Sequence, residues 1–105
     1  MARLVTVAKT SDVPPGHAIV VDVDDLEIAL AYVEGEGFFA IDNICTHDGG
    51  PLGEGALQGA AIECPRHGAL FDVRSGEALT MPAILPVRAY RVEVDGDDIK
   101  IAIPE

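Results

Sequence analysis

Eight short β-rich runs separated by turn signals leave this chain little choice of architecture. The runs are LVTV (4–7), AIVVDV (18–23), EIALAYV (27–33), GFFAIDN (37–43), AAIECP (60–65), ALFDV (69–73), VRAYRVEV (87–94) and IKIAI (99–103). Each alternates at period two or stays apolar over a strand's length. VPPG (13–16), EGEG (34–37), RSGE (74–77) and DGDD (95–98) punctuate them, because Gly and Pro supply the dihedral angles of tight turns. Asp95-Gly96, between RVEV and IKIAI, is a hairpin signal. No stretch of twelve residues carries a helical stripe. Strands that are many, short and evenly spaced predict an all-β fold, a small antiparallel sandwich or barrel. With 105 residues and no linker, repeat or low-complexity tract, the chain reads as a single domain over 1–105.

Residues 45–68 interrupt the pattern. CTHDGGPLGEG (45–55) is rich in turn formers, and CPRHG (64–68) joins AAIEC to ALFDV. Both segments fall on loops at strand ends, where a rigid sheet presents functional groups. They hold both cysteines and two of the three histidines: Cys45, His47, Cys64 and His67, in the order C-x-H, sixteen residues, C-x-x-H. Two thiolates and two imidazoles would complete a tetrahedral set around one zinc. Zinc ligands are usually spaced more widely, and a one-residue gap is tight for two ligands of one ion. The gap relaxes if neighbouring ligands reach different metal atoms, as a binuclear iron–sulfur cluster permits. Cys45 and Cys64 would then serve one iron, and His47 and His67 the other. Gly49, Gly50, Gly53, Gly55 and Gly68 crowd these loops. In the cluster reading they bring backbone N–H groups close to bridging sulfides. A disulfide between the two cysteines is the remaining alternative.

Charge narrows the partners. The net charge is −11, and from Thr10 to Pro65 there are eleven acids and no Lys or Arg. Nucleic acid, whose backbone needs cationic contacts, is excluded as a partner. The acids suit a basic protein partner, or serve solubility. No apolar run approaches the roughly 20 residues that span a bilayer. MARLVTVAKTSD lacks the apolar core and cleavage site of a signal peptide. The expected location is the cytoplasm, with no membrane association, where thiols bind metal more often than they pair. His17 in PPGHAIV reads as a surface turn residue. Four protein ligands leave no open coordination position, and no spare nucleophile is evident. A carrier, with no catalytic residues, fits better than an enzyme.

Cys45-Thr46-His47 with Cys64-Pro65-Arg66-His67-Gly68 resembles the Rieske [2Fe–2S] signature. Ligand types, both internal spacings, the separation of the pairs and the trailing glycine all agree. The resemblance implies one [2Fe–2S] cluster bound by Cys45, His47, Cys64 and His67 in two loops at one end of a Rieske-like domain. It also implies a proline-containing loop over the cluster, for which Pro82 in PAILPV is the candidate. Rieske proteins of cytochrome bc complexes carry an extra, disulfide-bonded cysteine in each loop; Gly50 and Arg66 stand there in this chain. Those proteins also place a serine and a tyrosine, donors to sulfur, where this chain has Ala69 and Phe71. Fewer donors disfavour the reduced, more negative cluster, so the potential is expected toward the low end of the Rieske range, roughly −150 mV.

These departures make the chain similar to the Rieske-type ferredoxins of bacterial oxygenase systems. That resemblance implies a monomeric one-electron shuttle between an NAD(P)H-dependent flavin reductase and a terminal oxygenase. Acids such as Asp48 and Glu54, or apolar Pro51, Leu52 and Pro82, are the expected docking residues. The Rieske small subunit of an assimilatory nitrite reductase, or a partner in iron–sulfur assembly, resembles the same residues. A structural zinc domain is the third reading.

Overall fold

In a computed structural model of the chain, which describes residues 2–44, 52–65, 68–81 and 85–104, the backbone is almost wholly strand and turn. The strands among the described residues are β1 (Ala2–Lys9), β2 (Ala18–Val23), β3 (Leu26–Val33), β4 (Gly37–Asp42), β5 (Leu57–Gln58), β6 (Ala61–Glu63), β7 (Leu70–Asp72), β8 (Ala89–Tyr90), β9 (Val92–Asp95) and β10 (Asp98–Pro104). They form three antiparallel sheets, ordered β1-β10-β9, β2-β3-β4-β8 and β5-β6-β7. The all-β antiparallel architecture agrees with the sequence patterning.

The four-stranded sheet is the middle layer, and β3 shows why. Its odd and even positions feed two different cores. Ile28 and Leu30 pack with Ile99, Ile101 and Ile103 of β10, whereas Ala29, Ala31 and Val33 pack with Leu52, Ile62 and Phe71. A strand buried on both faces reads as a continuous apolar run, which is what IALAYV is. The two faces differ in bulk. Alanines on one side let the third sheet and the short 3-10 turn Leu52–Glu54 approach closely. Isoleucines on the other fill a thicker core, each contributing about 1.5–3 kcal/mol by leaving water.

Some boundaries differ from the sequence reading. VRAYRVEV is not one strand: β8 pairs with β4, while β9 pairs with β10. The chain changes sheet at Arg91, whose carbonyl accepts from the Ala102 N–H at 2.9 Å. The last hairpin turns on Gly96-Asp97 rather than Asp95-Gly96, because Asp95 pairs with Asp98. Gly96, at φ 61, takes the first turn position, the placement that type II′ geometry favours. The two-residue β5 is an addition. His17 is exposed at a turn, as expected.

Tyr90 ties β8 to β4. Its hydroxyl donates to the Asp42 carboxylate, and the Arg88 guanidinium lies 5.5 Å from its ring centre. Burial, seconded by the Asp42 bond, pushes its pKa from 10.0 up to about 12. The folded state thus favours the neutral phenol. The associated stability is complete below pH 10 and is lost as pH rises through about 12. Wild type is expected to lose up to about 2–3 kcal/mol more than Tyr90→Phe over that interval. Denaturant titrations at both ends of the window measure it; parallel losses would assign the effect elsewhere.

Candidate metal centre

Cys64 is the first residue after β6. Its N–H donates to the Ala69 carbonyl at 2.7 Å, and the Gly68 N–H donates to the Cys64 carbonyl at 3.0 Å. These bonds close 64–69 into a tight loop at the end of the β6–β7 hairpin. Gly68, at φ 76, occupies the left-handed conformation that closure requires. The strand's alternation turns Cys64 inward: it is 1% exposed, in one core with Leu52, Ile62, Ala69 and Phe71. Pro65 and Gly68 face solvent.

Two further loop stems meet this hairpin. The stem of the first cysteine loop runs beside β6. The Glu63 N–H donates to the Ala56 carbonyl at 2.9 Å, and the Gly55 N–H donates to Leu52 O at 3.0 Å. The approach is so close that a Cβ on Gly55 would lie 1.6 Å from the Glu63 carbonyl oxygen. On the other side, the Leu79 N–H donates to Leu70 O at 2.7 Å, and the Leu70 N–H donates to Thr80 Oγ1 at 2.9 Å. This pins the chain just before the proline-containing segment. The stems of all three loops therefore converge beside Cys64.

Of the four expected ligands, Cys64 is placed; Cys45, His47 and His67 lie outside the described residues, as do Gly49, Gly50, Arg66 and Pro82. Among the described residues no group of three His, Cys, Asp or Glu side chains could hold a metal. Three of the glycines correct the sequence reading. The N–H groups of Gly53, Gly55 and Gly68 donate to Asn43 Oδ1, Leu52 O and Cys64 O, not toward a sulfide. Leu52, expected at a docking surface, is fully buried. Ala69 and Phe71 are also fully buried in the Cys64 core, and neither side chain carries a hydroxyl. An inward thiol where three loop stems meet fits a [2Fe–2S] group, for which two thiols plus two imidazoles would be a suitable donor set.

Sequence reasoning missed Asn43, the buried polar residue that ends β4's apolar run two positions before Cys45. Its signal was that placement: an amide in a buried run needs partners. Among the described residues, no helix is long and apolar enough to cross a membrane.

Comparison with known proteins gives the same chemistry. A family model described as Rieske [2Fe-2S] domain matches residues 3–91. The chain is 44% identical over 96 residues to the 3-phenylpropionate/cinnamic acid dioxygenase ferredoxin subunit of Escherichia coli (strain K12), covering 90% of this chain and 89% of that one. It is similar to the ferredoxin of carbazole 1,9a-dioxygenase from Nocardioides aromaticivorans IC177, with 39% identity and a TM-score of 0.91 over 96% of this chain and 98% of that one. It is also similar to a chain in a complex of reduced oxygenase and oxidized ferredoxin in carbazole 1,9a-dioxygenase, with 35% identity and a TM-score of 0.87 over 94% of this chain and 92% of that one.

Proposed function

The chain belongs to the Rieske [2Fe–2S] domain family, and on that premise we propose that it is the ferredoxin of a dioxygenase system, a one-electron carrier rather than a catalyst. One [2Fe–2S] cluster is its cofactor, which supplies a centre that accepts and returns a single electron. Cys45, His47, Cys64 and His67 would hold it through two thiolates and two imidazoles. An NAD(P)H-dependent flavin reductase donates the electron and a terminal oxygenase receives it. The carrier acts as a monomer in the cytoplasm, where thiols stay available as ligands.

The observation that carries this reading is the extent of the match to the ferredoxin subunit. It spans 89% of that relative's length, so the likeness is to a whole carrier. Buried Cys64 supports the ligand assignment. Ile44, Leu79, Met81 and Leu85 are exposed beside the loop segments, Met81 at 75% and Leu85 at 60%. They take the docking role that buried Leu52 cannot.

The test is electron transfer. The purified protein is expected to be red-brown, with two irons and two acid-labile sulfides. Once reduced by a flavin reductase with NADH, it should be reoxidised in stopped-flow mixing by the terminal oxygenase of the 3-phenylpropionate system. Reoxidation by a nitrite reductase catalytic subunit, with none by dioxygenase components, would reassign it.

A further inference from the structure

Asn43 is the one buried polar or charged residue among those described, 7% exposed. It lies between the end of β4 and Cys45. Its backbone N–H donates to Glu27 O at 3.0 Å, which continues the β3–β4 ladder past the last strand residue. Its side chain makes a second set of ties. Oδ1 accepts the Gly53 N–H at 2.5 Å, and Nδ2 donates to Glu27 Oε1 at 3.2 Å. The amide has only one sensible orientation, because a backbone N–H donates and a carboxylate accepts.

Gly53 sits in the 3-10 turn where the first cysteine loop comes back to the sheet. One amide therefore joins the outgoing chain at 43, the returning chain at 53 and β3 at Glu27. Cys45 and His47 lie on the span it closes. The closure is at contact distance. A Cβ on Gly53 would lie 2.5 Å from Val20 Cγ2 and 3.0 Å from Asn43 Oδ1. Truncating the amide would leave the Gly53 donor unsatisfied in a buried site, and such groups are expensive.

We propose that Asn43 is a positioning residue for the cluster. By tying Gly53 and Glu27 together it fixes where Cys45 and His47 stand relative to Cys64, and so sets how firmly the cluster is held. This rests on the reading of those three residues as ligands.

The experiment compares holoproteins of wild type, Asn43→Ala, Asn43→Asp and the double variant Asn43→Asp/Glu27→Gln. Iron content and EPR spectrum are recorded first, then the rate of bleaching in excess EDTA. Asn43→Ala is expected to bleach about tenfold faster or more, the scale of one lost buried hydrogen bond, with a shifted or broadened EPR spectrum. Asn43→Asp still accepts from Gly53 but sets a second carboxylate against Glu27, and should fall between. The double variant restores a donor–acceptor pair with the roles exchanged, a side-chain amide on β3 now donating to a carboxylate at the end of β4. It should return most of the way to wild type. Ile101→Ala, in the opposite core, serves as a stability control and should leave both readouts unchanged.

Wild-type bleaching in Asn43→Ala would overturn the proposal. So would equal bleaching in Ile101→Ala, which would reduce Asn43 to a contributor to global stability. If Asn43→Ala does not fold, failure of the double variant to improve on Asn43→Asp overturns it. A wild-type protein lacking iron and sulfide would instead sink the ligand reading itself.

Discussion

Cys64→Ala is expected to yield a folded, colourless protein with no iron. Cys64 is held in place by backbone bonds on both sides, through its own N–H to Ala69 O and its carbonyl from Gly68 N–H. Neither bond needs the sulfur. The thiol sits in an apolar core, where cysteine behaves as a small hydrophobe and alanine is a tolerable replacement. Loss of the sulfur should cost the apoprotein about 1 kcal/mol, the scale of one deleted buried group. If Cys64 is a ligand as proposed, the cluster would not survive the change. A diferric core would carry two positive charges for two thiolates to neutralise, and removing one would leave an iron short of a ligand and the site with uncompensated charge. Visible absorption and iron analysis measure the cluster, and circular dichroism measures the fold. Retention of two irons with an unaltered spectrum would remove Cys64 from the ligand set. Alanine is preferable to serine for this test, because a serine hydroxyl would still offer an oxygen ligand.

The strands were legible because both cores impose period two on them. β2 runs over the residues that AIVVDV marks, and β10 carries Ile99, Ile101 and Ile103 on one face. β5 escaped because two residues have no periodicity to read. VRAYRVEV looked continuous because a change of sheet leaves the alternation of side chains intact; only the partners differ, and partners are not written locally. The family was legible through chemistry, since thiols and imidazoles at those spacings have few other uses. The glycines were not. A sequence shows that a side chain is missing, without showing what occupies its place. At Gly53 it is Val20 and Asn43, and at Gly55 it is the β6 backbone. Leu52 was misread for a related reason: an apolar residue in a loop can face solvent or roof a core, and small Ala29 and Ala31 on β3 make room for the second. Asn43 lay in plain sight as an ordinary strand end. Its role depends on a return contact ten residues on.

Gly55→Ala is expected to be among the most damaging single-methyl substitutions in the chain. The added Cβ would lie 1.6 Å from Glu63 O and 2.8 Å from Glu63 C. Both are backbone atoms, so no rotamer change relieves the clash. If β6 moves away, the Glu63 N–H loses Ala56 O, and the Leu57–Ile62 pair opens. If the loop moves instead, the Gly55 N–H to Leu52 O bond goes, and Leu52 is drawn from its core. Either route should cost about 3–5 kcal/mol, in the tail of single-substitution effects. Gly59→Ala separates this steric cost from simple glycine replacement. Gly59 has φ 60 with nothing within 4 Å of a Cβ, so that variant carries only the left-handed backbone penalty, about 1–2 kcal/mol. Denaturant melts should therefore rank wild type above Gly59→Ala, and Gly59→Ala well above Gly55→Ala. Equal losses in the two variants would show that the β6 contact is not the reason for glycine at 55. The consequence reaches the metal centre by either route: a shift of β6 displaces Cys64, which directly follows Glu63, and a shift of the loop displaces the stem of the first cysteine loop. Iron content per folded protein should accordingly fall in Gly55→Ala and hold in Gly59→Ala. The missing side chain at 55 is what lets the stem of the first cysteine loop lie directly against β6, next to Cys64.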